Sequence, residues 1–455
     1  MDSKQPSVSG NEKNPYAPSS ESAIAPSDGT KSQILKDRSF WGLAITQFLG
    51  AFNDNLYKQM MLLMAIPGVG VAVKSGDRQG WATALFSLPF VLLSSYAGFL
   101  SDRYSKSSII VICKFAEIGI TLLAVLAFLF YGDLGDWGTW SVLFLMGVHS
   151  TFFGPGKYGI LPELFKKEDA PRANGLILMS TFLAIILGVV LAGVIQDLLV
   201  IKNADDTKDF SRLWIGSTVC TCVAIVGTIF SMMIRKTPPA QPNAKLVMAD
   251  FVASEDVRKL FKRDTPLLIA IVVSSVFWLT GGIVMPVVNA IGKVQMGLES
   301  DGAVSVLTGG LAIGIIIGAV CANLVLKQMK AATQVQLGLF IMIASMLILG
   351  FWLPGGKPLL GYAGSLLLLI LAGIGAAVFV IPLQVFLQQR PPAEIKGRMI
   401  ATMNFANFVG ILLAGPLYQL FVAVAAGLGW PVSSVFWMMS LLLLPLALFY
   451  RLPND

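Results

Sequence analysis

Twelve apolar runs, each about as long as a helix must be to cross the hydrocarbon core of a bilayer, dominate this chain. They fall near residues 40–66, 80–101, 108–131, 139–163, 173–196, 212–234, 265–292, 303–326, 332–353, 361–389, 399–425 and 432–450. In lipid such a run is helical, because every backbone N–H and C=O has to find its partner within the segment. Composition agrees: of 455 residues 55% are hydrophobic and only 13% charged, about half the charged share of a soluble domain, and the mean hydropathy is +0.73. The reading is an all-α integral membrane protein with twelve transmembrane helices.

Basic residues orient it. With both termini on one side, 23 of the 33 Lys and Arg lie on that side and only Lys74, Arg78, Lys202, Lys208, Arg212, Lys293 and Lys357 lie opposite. Lys and Arg collect on the cytoplasmic face, so both termini are expected there. The net charge of +7 is then a consequence of topology and no sign of nucleic-acid binding. Residues 1–38 are polar, without the apolar core of a secretory signal, and read as a disordered cytoplasmic tail. Cys113, Cys220, Cys222 and Cys321 all fall within apolar runs, where Cys serves as a small hydrophobe; neither a disulfide nor a metal site is expected, and no cofactor.

The one long charged interruption, 235–264, divides the runs into six and six. The expected organisation is a tail at 1–38, an N-terminal six-helix bundle at 39–234, a cytoplasmic linker at 235–264 and a C-terminal six-helix bundle at 265–455. An internal repeat supports two pseudo-symmetric halves: Gly175, Gly188 and Leu191-Ala192-Gly193 recur 222 residues later as Gly397, Gly410 and Leu413-Ala414-Gly415. Small residues let helices approach closely in lipid, and related halves would share such faces. Two halves rocking about a midplane site is the plan of secondary transporters.

Charge inside the membrane is confined to the first half. Asp54 and Lys58 stand four apart on the first helix, flanked by Asn53 and Asn55; Lys114 and Glu117 stand three apart on the third; Lys157 follows on the fourth. A carboxylate at bilayer depth costs roughly 2.5–3.5 kcal/mol on insertion scales, so it persists where it faces a polar cavity or a partner. The spacings allow ion pairs on one helix face, and for Lys114 and Glu117 a self-neutralising pair is an equal reading. The stretch Gly154-Pro155-Gly156-Lys157-Tyr158-Gly159 is expected to weaken or kink the fourth helix and place a cation there. The single histidine, His149, reads more readily as a packed residue than as a proton relay. The second half offers only neutral polarity, with Gln384, Asn404, Asn407 and Gln419, and aromatic groups such as Trp278, Phe379 and Phe386 that are core or lipid-facing before they are a wall for an acyl chain.

After the second run comes Gly98-Phe-Leu-Ser-Asp102-Arg103-Tyr-Ser-Lys106, which resembles the Gly-x-Leu-x-Asp-Arg-x-x-Arg/Lys signature of the major facilitator superfamily. The resemblance implies a cytoplasmic gate in which Gly98 permits close helix packing while Asp102, Arg103 and Lys106, with Glu163, make and break ion pairs as the halves move. Together with residues 47–55 and 154–163, the chain resembles the bacterial lysophospholipid transporters of that superfamily over roughly residues 40–420. That implies a phospholipid substrate, notably of the lysophosphatidylethanolamine type, moved across the inner (plasma) membrane by a multi-pass monomer, and a separate acyltransferase using the delivered lysolipid. It also implies that Asp54 and Lys157 contact the headgroup; Asn53, Asn55, Lys58, Lys114, Glu117 and Tyr158 around them are further candidate binding or coupling groups. Three features depart from the family: no ionisable group lies between 265 and 292, no acyltransferase or acyl-activating domain is expected in the chain, and Lys58 adds a charge beside Asp54. An enzyme reading fails on chemistry, since a glycerolipid acyltransferase wants an Asp five residues after a His and Gly154 stands there. The competing function is a proton-coupled drug or metabolite antiporter of the same superfamily, which would use the same residues.

Overall fold

The computed structural model describes residues 33–67, 76–166, 169–202, 208–242, 252–326, 328–392 and 395–453. Most of the expected tail therefore lies outside the described residues. Twelve long helices follow one another: α1 (Arg38–Met64), α2 (Gln79–Arg103), α3 (Lys106–Leu129), α4 (Tyr131–Gly159), α5 (Ala170–Leu199), α6 (Trp214–Ser231), α7 (Thr265–Ala290), α8 (Asp301–Val320), α9 (Ala331–Leu349), α10 (Gly361–Gln389), α11 (Lys396–Gly427) and α12 (Val435–Phe449). A two-residue ribbon, Ile201–Lys202 with Lys208–Asp209, joins α5 to α6, and a charged helix, Glu255–Arg263, precedes α7. Ten of the twelve are long and apolar enough to span a membrane by themselves; the other two are α1 and α4. These are the helices that carry Asp54, Lys58 and Lys157, so the deficit in hydropathy marks where polarity has been built in.

The packing repeats. α1 lies against α5 as α7 lies against α11; α2 and α4 correspond to α8 and α10, α3 and α6 to α9 and α12. The halves meet at α2 with α11 and at α5 with α8, which are again repeat-related. The glycines show why. A Cβ on Gly188 would collide with α1 at the Phe52 carbonyl, and one on Gly410 with α7 at the Ser275 carbonyl. A Cβ on Gly193 would strike Asp301 of α8, and one on Gly415 would strike Gly80 of α2. Two of the three glycine pairs of the 222-residue repeat, Gly188/Gly410 and Gly193/Gly415, thus let their helices touch the equivalent neighbour, the small-residue contact that lipid-embedded helices rely on.

The halves are pressed together at the end away from the termini. There Gln59 of α1 donates to Asn289 of α7 (3.0 Å), Asn289 donates to Gln79 of α2 (3.0 Å), and Thr308 of α8 donates to Asn289 (2.9 Å). Leu63 and Ile66 pack on Val304 beside it. Toward the termini the surfaces part: a Cβ on Gly98, Gly154, Gly175 or Gly397 would meet nothing within 4 Å. Ion pairs found at that end stay within a half or tie the linker to it, as in Lys106–Glu163, Arg235–Asp37, Arg390–Asp264 and Arg398–Asp256. The interface is a V that opens toward the termini.

Two expectations change here. Gly98 does not mediate a close helix contact, because the seam it would serve is apart. The fourth helix does not break at Gly154-Pro155-Gly156; it stays helical to Gly159, and the one non-helical residue inside it is Gly135 (φ 52°). Pro155 has no N–H to donate, so the helix loses one hydrogen bond there, and Gly156 seats α4 against Ile110 of α3. Ile160 keeps right-handed helical dihedrals into the one-turn helix Leu161–Leu164, and the chain becomes extended at Phe165.

Candidate functional site

The polar interior belongs to α1, α3 and α4. Asp54 sits half-buried on α1, and its Oδ2 accepts the Ser150 hydroxyl of α4 at 2.5 Å. Its Oδ1 is buried and has no hydrogen-bond partner among the described residues, an unmet acceptor inside the first half. Lys157, two turns along α4 from Ser150, lies with its ammonium 5.8 Å from the Phe153 ring centre, and its charge is among those that Asp54 feels. The expected acid and base are thus brought into electrostatic reach without forming a direct pair.

Behind Asp54 lies a sealed cluster. Lys114 and Glu117 form the ion pair their spacing allows, and neither has exposed surface. Asn53 donates to Glu117 (2.8 Å) and to the Cys220 carbonyl (2.9 Å), and the Nε2 of His149 stands 3.5 Å from Glu117. Gly227 and Gly50 leave room for the Lys114 ammonium between α6 and α1. In this state Lys114, Glu117 and Asn53 cannot touch a substrate; they act on the site through α1 and α4, whose positions they fix. Taking two charges out of water repays its cost only with good pairing and further hydrogen bonds, and the cluster supplies both.

Several expected roles are corrected by geometry. Asp54 and Lys58 do not pair: Asp54 is taken by Ser150, and Lys58 lies 5.3 Å from the Phe86 ring centre as a cation–π contact. Asn55 spends its amide on the Ala51 carbonyl of its own helix (2.8 Å). Phe379 and Phe386 are buried in the C-terminal core and cannot line an acyl path, whereas Trp278 is exposed. The Tyr158 side chain lies outside what is described. Of the motif residues, Lys106 and Glu163 pair with each other inside the first half, Arg103 stacks on Phe99 and Tyr104, and the Asp102 carbonyl accepts the Gln241 N–H (2.8 Å). This joins the motif to the start of the linker.

The C-terminal half answers with neutral groups. Ser274 of α7 donates to Asn407 of α11 (2.9 Å) and receives the Gln384 amide of α10 (3.3 Å). Asn404 is exposed. Sequence reasoning missed Ser150, Gln59, Gln79 and Asn289. Asn289 stands in an otherwise apolar run and was a visible signal; a lone serine such as Ser150 was not.

Two pseudo-symmetric six-helix bundles meeting over a polar interior define a secondary transporter. The family model described as Major Facilitator Superfamily matches residues 43–415, and the chain belongs to that superfamily. It is 27% identical over 404 residues to a protein named lysophospholipid transporter LplT of Yersinia pestis (strain Pestoides F), a match covering 86% of this chain and 89% of that one. The same figures hold for the protein of that name from Yersinia pseudotuberculosis serotype IB (strain PB1/+). Among solved structures it resembles a POT family transporter (TM-score 0.69, 13% identity, 90% of this chain and 95% of that chain). A nucleoside transporter, NupG, is also similar (TM-score 0.65, 14% identity, 90% and 97%). These structural likenesses speak for the fold alone. The protein is a multi-pass membrane transporter.

Proposed function

We propose that this protein moves a lysophospholipid, with a zwitterionic head of the ethanolamine type, across a bacterial inner membrane by alternating access. The observation that carries the reading is Asp54 itself, half-buried on α1 with a buried, unpartnered Oδ1 and within electrostatic reach of Lys157, in a half whose counterpart offers only neutral groups around Ser274. An ammonium suits the carboxylate, a phosphate suits the lysine, and a wall without charge tolerates an acyl chain. The name borne by the Yersinia relatives supports the same substrate class. Lys and Arg are concentrated on the termini side, which favours both termini in the cytoplasm and a crevice open to it. The halves would then rock so that the far end opens, with the Gly98–Lys106 loop closing against the opposite half.

The reading is tested in liposomes loaded with fluorescent lysophosphatidylethanolamine, following its loss from one leaflet with and without a proton gradient. Transport independent of the gradient and lowered roughly ten- to a hundredfold by Asp54→Asn is the expected result. Transport of soluble cations alone, driven by the gradient, would replace it with the antiporter reading.

A further inference from the structure

Two of the contacts that hold the far end of the molecule shut are related by the repeat and separated by chemistry. α2 begins at Gln79 and α8 at Asp301, 222 positions apart, and each has a glycine next, Gly80 and Gly302. Across one seam Asp197 of α5 grips the start of α8, accepting from Ser300 Oγ (2.6 Å), the Asp301 N–H (2.5 Å) and the Gly302 N–H (2.9 Å). Its repeat mate 222 positions on is Gln419 of α11, which meets the start of α2 by donating its amide to the Asp77 carbonyl (3.0 Å). A carboxylate on α5 thus corresponds to an amide on α11. The acid of the second seam stands on the other side of it, as Asp77.

Asp77 takes the Tyr418 hydroxyl of α11 across the seam at 2.5 Å and the Gln79 N–H at 3.0 Å. It is 6% exposed and Tyr418 is fully buried, whereas Asp197 is exposed. The groups facing Asp77 are few. α11 presents Tyr418 and Gln419; α2 presents Gln79, whose amide also reaches the Pro286 carbonyl of α7 and accepts from Asn289. Neighbouring Arg78 is turned away to Asp136 (2.6 Å) and the Trp140 ring. Among the described residues no cation lies within ion-pair distance of Asp77. Burial pushes its carboxyl above the usual range, with the Tyr418 and Gln79 hydrogen bonds opposing that rise.

We propose that Asp77 is a proton-sensing latch: closing the far end buries its carboxylate and takes up a proton, and opening hydrates the carboxylate and releases the proton to solvent on that side. Asp197, in water whether the end is shut or open, holds the sister seam without this exchange. The sign follows from linkage. A carboxyl raised in the closed state and ordinary in the open one favours closure at low pH, and the preference is lost as pH rises through the closed-state value. The proposal takes the rocking of the halves from the transport reading but makes no use of the cargo, so it is measured without substrate.

Spin labels on Trp137→Cys and Leu428→Cys, exposed positions at this end on opposite halves, report its opening by double electron–electron resonance in nanodiscs, with Cys222→Ser and Cys321→Ser to remove competing thiols. Between about pH 5 and about pH 9 the long-distance population is expected to grow as pH rises, by at most about tenfold per pH unit for a single proton. Asp77→Asn should stay short at every pH, and Asp197→Asn should shift the populations while keeping the pH slope. Tyr418→Phe removes a bond that favours the ionised form and should move the midpoint to higher pH. A distance distribution that ignores pH, a slope that survives Asp77→Asn, or a midpoint unmoved by Tyr418→Phe would each overturn the proposal. Failure of lipid transport alone would touch only the function proposed above.

Discussion

The two halves share helix contacts, glycine positions and seams, yet only the first sets charge at mid-membrane; the buried pair Lys293–Asp301 of the second lies at its closed end. At the place where the first half sets Asp54, Glu117, Lys114, His149 and Lys157, the second sets Ser274, Gln384 and Asn407. Architecture is therefore carried by the small residues common to both repeats, and chemistry by a few polar positions present in one. A half that keeps only neutral hydrogen bonds can serve as the apolar wall against which an amphiphile lies.

The strongest blow to this asymmetry is Glu117→Leu. It strands the Lys114 ammonium in a site with no exposed surface, and breaking a buried pair costs on the order of 3–5 kcal/mol. Thermal unfolding in detergent should show a large drop, with recovery when Lys114→Met is added; a single variant as stable as the parent would mean that the pair does not hold α3 to α1 and α6. Next comes Asp54→Asn. Losing a charged contact worth about 1.5–3 kcal/mol lowers transport roughly ten- to a hundredfold, with the unfolding temperature little changed. Full transport by that variant would remove Asp54 from the site.

Gly188→Val and Gly410→Val should each destabilise by about 1–3 kcal/mol and by similar amounts, since both meet a backbone carbonyl of the equivalent helix. A markedly unequal pair of denaturation curves would show that the halves do not share their packing. Smallest is Asn407→Leu, which removes one neutral hydrogen bond worth about 1 kcal/mol and should change lysolipid transport by no more than a few fold. If its effect rivals that of Asp54→Asn, the C-terminal wall binds the head and the contrast between the halves dissolves.

Much of this was legible in the chain. Hydropathy delimits twelve helices to within a few residues at most ends, because in lipid an apolar run has no stable alternative to a helix. The 222-residue spacing of the glycines anticipates equivalent contacts, and the i,i+3 spacing of Lys114 and Glu117 anticipates their pair. The same spacing logic misled at Asp54 and Lys58, where neighbours on other helices, Ser150 and Phe86, made better partners. At Gly154-Pro155-Gly156 local propensity argued for a weakened or kinked helix, and the chain stays helical to Gly159, seated on α3.

By itself, then, the sequence determined that the chain spans a membrane in two related halves, with charged residues inside the apolar runs of only the first. Those are properties of composition and spacing along a line. Only the tertiary structure decided which charges are sealed and which buried carboxylate oxygen is left without a partner, which end of the interface is shut, and that Asp77, Tyr418 and Gln419 meet across a seam more than 300 residues wide in sequence. Helices in lipid form independently of one another, whereas burial, pairing and closure depend on which faces they finally turn together.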